Sequence, residues 1–98
     1  MQGYKVRLRF LSTMMHTLKH YETTIEVSDG ATIGDLLRIL SVAYGEDILI
    51  YLFEEDRTTI RNDVLILVND TDIGALDGAD TVLIENDEVV FMPISHGG

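Results

Sequence analysis

The chain predicts an α+β domain: a mixed sheet with one main helix lying across one face. Three observations carry that expectation. A cleanly alternating strand lies near the start and another near the end, and a single capped amphipathic stretch lies between them. The 98 residues suffice for one modest core and not for two, so residues 1–98 are read as a single domain. An apolar fraction of 46% is that of a globular chain rather than a disordered one.

Lys5-Val6-Arg7-Leu8-Arg9-Phe10 alternates, sending Val6, Leu8 and Phe10 to one face and Lys5, Arg7 and Arg9 to the other. The basic stripe stands out in an acidic chain, either as a solvated sheet face or as a docking surface. Residues 11–21 are less regular and read as strand end, loop and the start of a second strand. Glu22-Thr23-Thr24-Ile25-Glu26-Val27 is that strand, with Ile25 and Val27 inward, and Ser28-Asp29-Gly30 turns the chain. The two strands predict an antiparallel hairpin.

Thr32 opens the helix as N-cap, with Asp35 in the first turn, where the helix dipole favours an acid. Ile33, Leu36, Leu37, Leu40 and Ala43 or Tyr44 form its apolar stripe, and Gly45 stops it. Residues 46–53 fit a short second helix, although Ile48-Leu49-Ile50-Tyr51 also reads as extended. Glu54-Glu55-Asp56-Arg57 is a charged loop. Val64-Leu65-Ile66-Leu67-Val68 reads as a buried strand with Asn69-Asp70 beginning a turn. Residues 72–79 read as irregular connection, and Thr81-Val82-Leu83-Ile84 as a brief strand before a turn at Asn86-Asp87. Asp87-Glu88-Val89-Val90-Phe91 is the final strand, with Val89 and Phe91 on one face. Pro93, which lacks an N–H, ends its ladder. The first and last strands are the most regular and are expected to pair at the sheet centre. Residues 94–98 are expected to protrude as a tail, since Gly97 and Gly98 carry no side chain to pack.

Composition removes several function classes. Seven basic against 17 acidic side chains give a net charge of −10, which disfavours direct binding of nucleic acid. No apolar run approaches the roughly 20 residues that span a bilayer, and the start lacks the pattern of a signal peptide, so no membrane association and a cytoplasmic location are expected. With no cysteine there is no disulfide, thiol nucleophile or thiolate-held cluster. His16 and His20 stand four apart, a metal-binding spacing on a helix, but the region reads as loop or strand and no third ligand is evident. Asp70-Thr71-Asp72-Ile73-Gly74 lacks the further ligands of a calcium loop, with Thr81 where the closing glutamate belongs. Adjacent acids in a charged loop at residues 54–56 read as solvated surface. No phosphate-binding loop of the G-x-x-x-x-G-K-[ST] type is present, so any ATP belongs to a partner.

A β-β-α-β-β order with Gly97-Gly98 following a proline-terminated strand resembles the ubiquitin-like β-grasp proteins. Asp87-Glu88-Val89-x-Phe91-x-Pro93-x-x-x-Gly97-Gly98 is similar to the small subunit of molybdopterin synthase. Ile66-Leu67-Val68-Asn69-Asp70 with His96-Gly97-Gly98 resembles the ubiquitin-related modifier of eukaryotes, and the archaeal small modifier proteins are alike in size, element order and diglycine.

The resemblance implies a carrier rather than an enzyme. A separate adenylating enzyme would use ATP to convert the Gly98 carboxylate into an acyl-adenylate, leading to a thiocarboxylate or to an isopeptide on a target lysine. No cofactor would be bound by the chain itself. Gly97 would suit a channel too narrow for a Cβ. The Pro93 motif points toward a molybdopterin synthase large subunit as partner, and His96 toward transfer-RNA thiolation together with protein conjugation. By the same resemblance Arg7, Arg9, Val90, Met92 and Pro93 would belong to the docking surface for the activating enzyme or another partner. Val90 and Met92 face away from Val89, and are either exposed apolar residues or part of a second covered face.

Overall fold

The computed structural model describes residues 3–94. Two hairpins are joined through a central strand. β1 (Gly3–Phe10) and β2 (Glu22–Ser28) pair antiparallel, with Val6 opposite Ile25 and Tyr4 opposite Val27. β3 (Val64–Val68) and β4 (Thr71–Asp72) form a second, shorter hairpin, its turn made by Asn69 and Asp70, both with positive φ. β5 (Glu88–Pro93) enters between them, parallel to β1 and antiparallel to β3. The strand order is β2-β1-β5-β3-β4, which places the two most regular strands at the centre, as the sequence predicts.

The main helix α2 (Ile33–Tyr44) starts where its cap does. The Thr32 hydroxyl accepts from the Asp35 amide at 3.2 Å, and the Asp35 carboxylate accepts from the Thr32 amide at 2.9 Å. Gly45, at φ 62, ends it, with its N–H donated to the Ser41 carbonyl. The ambiguity at residues 46–53 resolves as helix α3 (Glu46–Leu52), which buries Ile48 and Leu52. Ile33, Leu36, Leu37 and Leu40 of α2 meet Val6, Leu8, Phe10, Val27, Val64, Ile66, Val68, Val89 and Phe91 of the sheet in one apolar cluster. Phe10 stacks on Phe91 with centroids 5.5 Å apart.

Three expectations are corrected. Residues 11–21 are not loop and strand alone but contain a further helix, α1 (Thr13–Leu18), whose Met14 and Leu18 lie one turn apart and are both buried. The stretch 81–84 is not a sheet strand. It makes an isolated bridge, Thr32 with Val82, alongside the start of α2, where Thr81 and Ala31 carbonyls accept from Ile33 and Leu83. Between β4 and this stretch lie two 3₁₀ turns, Ile73–Ala75 and Gly78–Asp80. Finally, β3 is buried on one face only: Val64, Ile66 and Val68 face the core, while Leu65 and Leu67 are half-exposed on the other side.

Candidate functional site

The helices bury their apolar residues against one face of the sheet, so the opposite face is left to the side chains of the strands themselves. Cross-strand neighbours share a face, and the register therefore assembles that surface residue by residue. Arg9 of β1 lies opposite Val90 of β5, and Val90 lies opposite Leu67 of β3. Two residues along, Met92 lies opposite Leu65; in the other direction Arg7 lies opposite Glu88. The result is an apolar strip of Leu65, Leu67, Val90 and Met92 bordered by two arginines.

Val90 is 6% exposed yet stands outside the apolar cluster formed with the helices. Neither alternative for Val90 and Met92 holds in full. Among the described residues neither belongs to the apolar cluster built with the helices, yet Val90 is buried and Met92 half-buried. Arg7 is exposed and its guanidinium reaches Glu88 at 3.6 Å and the Asn86 carbonyl at 3.5 Å. Arg9 makes no ion pair with a described residue, and its charge is available to a partner. Leu65 and Leu67 complete the strip and were missed by sequence reasoning. In a five-residue run that is apolar throughout, period-two alternation leaves no trace.

The strand that leads to the tail is held at both ends. At its start, the Asp87 carboxylate is buried, accepting from the Asn69 side-chain amide and the Ile84 backbone N–H, each at 2.8 Å. The Asn69 side-chain oxygen accepts from the Glu88 amide at 3.0 Å, so the two motif residues Asn69 and Asp87 clasp the β3–β4 turn to the first residue of β5. At its end, Pro93 lies opposite Val64, and Ile94 donates its N–H to the Asp63 carbonyl at 2.8 Å. Pro93 is the last residue of β5, but the bonding to the β3 side runs one residue past it, through Ile94, the first of the residues expected to protrude. His96, Gly97 and Gly98, with Ser95, lie outside the described residues.

His16 and His20 sit in different settings. His16 is on α1, and His20 follows it with its Nε2 2.7 Å from the Tyr44 hydroxyl and its ring against Phe10. Burial raises the Tyr44 phenol above its ordinary range. Among the described residues no group of three or more His, Asp or Glu is placed to hold a metal ion, and no helix is long and apolar enough to cross a membrane.

This fold and this chain have known relatives. The model of the ThiS family matches residues 8–98. Small archaeal modifier protein 3 of Haloferax volcanii is 32% identical over 94 residues, which cover 95% of this chain and 99% of that one. A ubiquitin-related modifier 1 homolog of Drosophila willistoni is 33% identical over 81 residues, 83% of this chain and 79% of its own. Among solved structures, the Haloferax volcanii HVO 2177 protein superposes with a TM-score of 0.81 at 30% identity, covering 98% of this chain and 88% of that chain. The five-stranded sheet is accordingly a ubiquitin-like β-grasp. With a family match that runs from the first strand through Gly98, the chain belongs to the ThiS family and is a small ubiquitin-like carrier or modifier protein rather than a catalyst.

Proposed function

We propose that the chain is a carrier whose working group is the carboxylate of Gly98. A carboxylate is a poor electrophile. An ATP-dependent activating enzyme would let its oxygen attack the α-phosphorus of ATP, releasing pyrophosphate and leaving an acyl-adenylate. A sulphur nucleophile then attacks the acyl carbon and expels AMP, so that Gly98 carries a thiocarboxylate. Alternatively a lysine amine of a target protein attacks there, loses a proton and forms an isopeptide. ATP is the activating enzyme's substrate and not a group held by this chain. Gly97 and Gly98 serve by lacking side chains, which lets the terminus thread a narrow channel. Such chemistry fits a cytoplasmic setting.

The observation that carries this reading is the family match extending to residue 98, through Pro93, His96 and the diglycine. The sheet face opposite the helices supports it. Val90 and Met92 lie on β5, which leads into residues 94–98, and Arg7, Arg9, Leu65 and Leu67 lie on the two strands paired with it, so an enzyme docked there would meet the strand that precedes the terminus. The Asp87-to-Pro93 motif supports a second reading, in which the chain is the dedicated small subunit of a molybdopterin synthase. Co-purification of a stable stoichiometric complex with a large subunit marks that case.

The test is electrophoresis in an organomercury gel on protein purified gently from its own host, beside a Gly97–Gly98 deletion. The chain has no cysteine, so mercury-dependent retardation of the full-length protein alone reports a terminal thiocarboxylate. Larger covalent adducts that vanish in the deletion report conjugation. Absence of both signals overturns the reading.

A further inference from the structure

A second surface lies at the β3–β4 side of the sheet, next to the strip described above and sharing Leu65 with it. β4 covers β3 only at Leu67 and Val68; the chain then leaves the ladder through the 3₁₀ turn at Ile73–Ala75. Asp63 accepts from Ile94 and Asn69 donates to Glu88, so the odd-numbered residues of this segment bond to β5. By the alternation of an antiparallel ladder, the backbone groups of the even-numbered residues point the other way. Val64, below the reach of β4, therefore turns its N–H and C=O to a side where no described strand lies opposite; Asn62, before it, belongs to a turn. That side is not filled by side chains. A groove of about 440 Å³ runs along it, with apolar walls from Ile60, Val64, Ile73, Ala79 and Ile94.

The charge around the groove has one sign. Asp72 lines the groove together with residues 73, 74, 78 and 79, and the segment to which they belong, residues 69–80, also carries Asp70, Asp77 and Asp80 and no basic residue. Arg61, the groove's one cation among the described residues, is held by Asp63 through two bonds of 2.8 Å and lies 3.8 Å from Glu54. Its guanidinium is pushed further above its already high range by these partners, so it offers no free positive charge.

The geometry points to this edge as a docking site for an extended peptide segment of a partner protein, one with small or β-branched apolar residues flanked by lysine or arginine. The strand-free backbone edge at Val64, itself 8% exposed but reached by the groove, selects an extended main chain, as in recognition by strand addition. The apolar walls take alternate side chains, and the acidic rim selects basic flanks. A second copy of this chain fits worse, because edge-to-edge pairing would bring two acidic rims together on molecules of net charge −10. The site is independent of the chemistry at Gly98, although Ile94 in its wall places an occupant beside the root of the tail.

The experiment titrates the full chain with a capped peptide of about ten residues, an alternating valine–threonine core with two lysines at each end, followed by amide NMR shifts. Two control peptides carry glutamates in place of the lysines, or N-methylated backbone amides at alternate core positions. The expected result is shifts centred on residues 60–66 and 72–79, with slowed hydrogen exchange at the Val64 amide. Affinity should fall on the order of tenfold or more for each control. A double variant Asp77→Lys with Asp80→Lys, both exposed, should remove the preference for the basic peptide while leaving the spectrum otherwise native. Shifts confined to Leu67, Val90 and Met92 would overturn the proposal. So would equal affinity for all three peptides, or peptide-independent shifts at Val64 that grow with protein concentration, which would assign the edge to self-association.

Discussion

The two faces of β5 are nearly alike in composition and opposite in use. Val89 and Phe91 point into the cluster built with the helices and are fully buried; Val90 and Met92, between and beyond them, point to the other face and lie outside that cluster. Both faces are apolar, so hydrophobicity alone does not decide which is core. The difference lies across the strand. The inner residues meet Leu8, Phe10 and Ile66, while the outer ones meet Arg9, Leu65 and Leu67. In the function proposed above, the second apolar face, edged by arginines, is covered only while a partner is docked.

That contrast can be broken from the inside first. Phe91→Ala removes a fully buried ring that stacks on Phe10 and should cost about 3–5 kcal/mol in denaturant unfolding. An unchanged midpoint would refute its place in the core. Arg9→Glu, on the outer face, should shift stability by no more than about 0.5 kcal/mol. It should lower adenylation efficiency, read as kcat/KM with the activating enzyme, on the order of tenfold. If instead it unfolds the domain, the outer face is structural and the contrast fails.

Thr32→Ala sharpens the comparison at a smaller scale. Losing the reciprocal cap of α2 should cost about 1 kcal/mol and leave adenylation unaltered, because the helix belongs to the inner layer. The smallest effect expected is one of pH. Hydrogen bonds from Thr59 and Thr58 hold the exposed Asp56 carboxyl down to about 2, and those from Thr32 lower Asp35. A carboxyl depressed on folding stabilises above its unfolded value near 4 and loses that contribution as pH falls toward the folded value. Asp56→Asn should therefore lower the neutral plateau slightly and flatten the acid limb between about pH 4 and pH 2, so that the two proteins converge in strong acid. An unaltered acid limb would place the loop's hydrogen bonds outside the folding equilibrium.

How much of this could be read from residues depended on local signals. β1, β2 and α2 carry their own alternation, cap and stop, and their boundaries followed from those. α1 carries none. Ser12, at its N-cap, adopts φ 57 and makes no side-chain cap, and Lys19 takes the left-handed position at its end where glycine is the usual sign. Six residues do not sustain a helix alone, so α1 exists because Met14 and Leu18 find the core. The docking strip was half legible. Arg7 and Arg9 interrupt an apolar pattern and show themselves, whereas Leu65 and Leu67 are hidden within a continuous apolar run. The clasp of Asn69 on Asp87 joins residues 18 apart, and only the turn at each was visible in sequence.

The position of β5 has a consequence for how the chain comes into being. Synthesis delivers the two hairpins long before the strand that must lie between them, and until residues 88–93 emerge, β1 and β3 have nothing to join them. Neither hairpin is stable by itself, so the sheet is expected to close in a late, long-range step once β5 is available. A product broken off upstream of Glu88 lacks the keystone and remains a target for proteolysis. Reaching the folded state thus certifies that translation ran into the final segment, and the assembled sheet vouches for the stretch of chain that follows it.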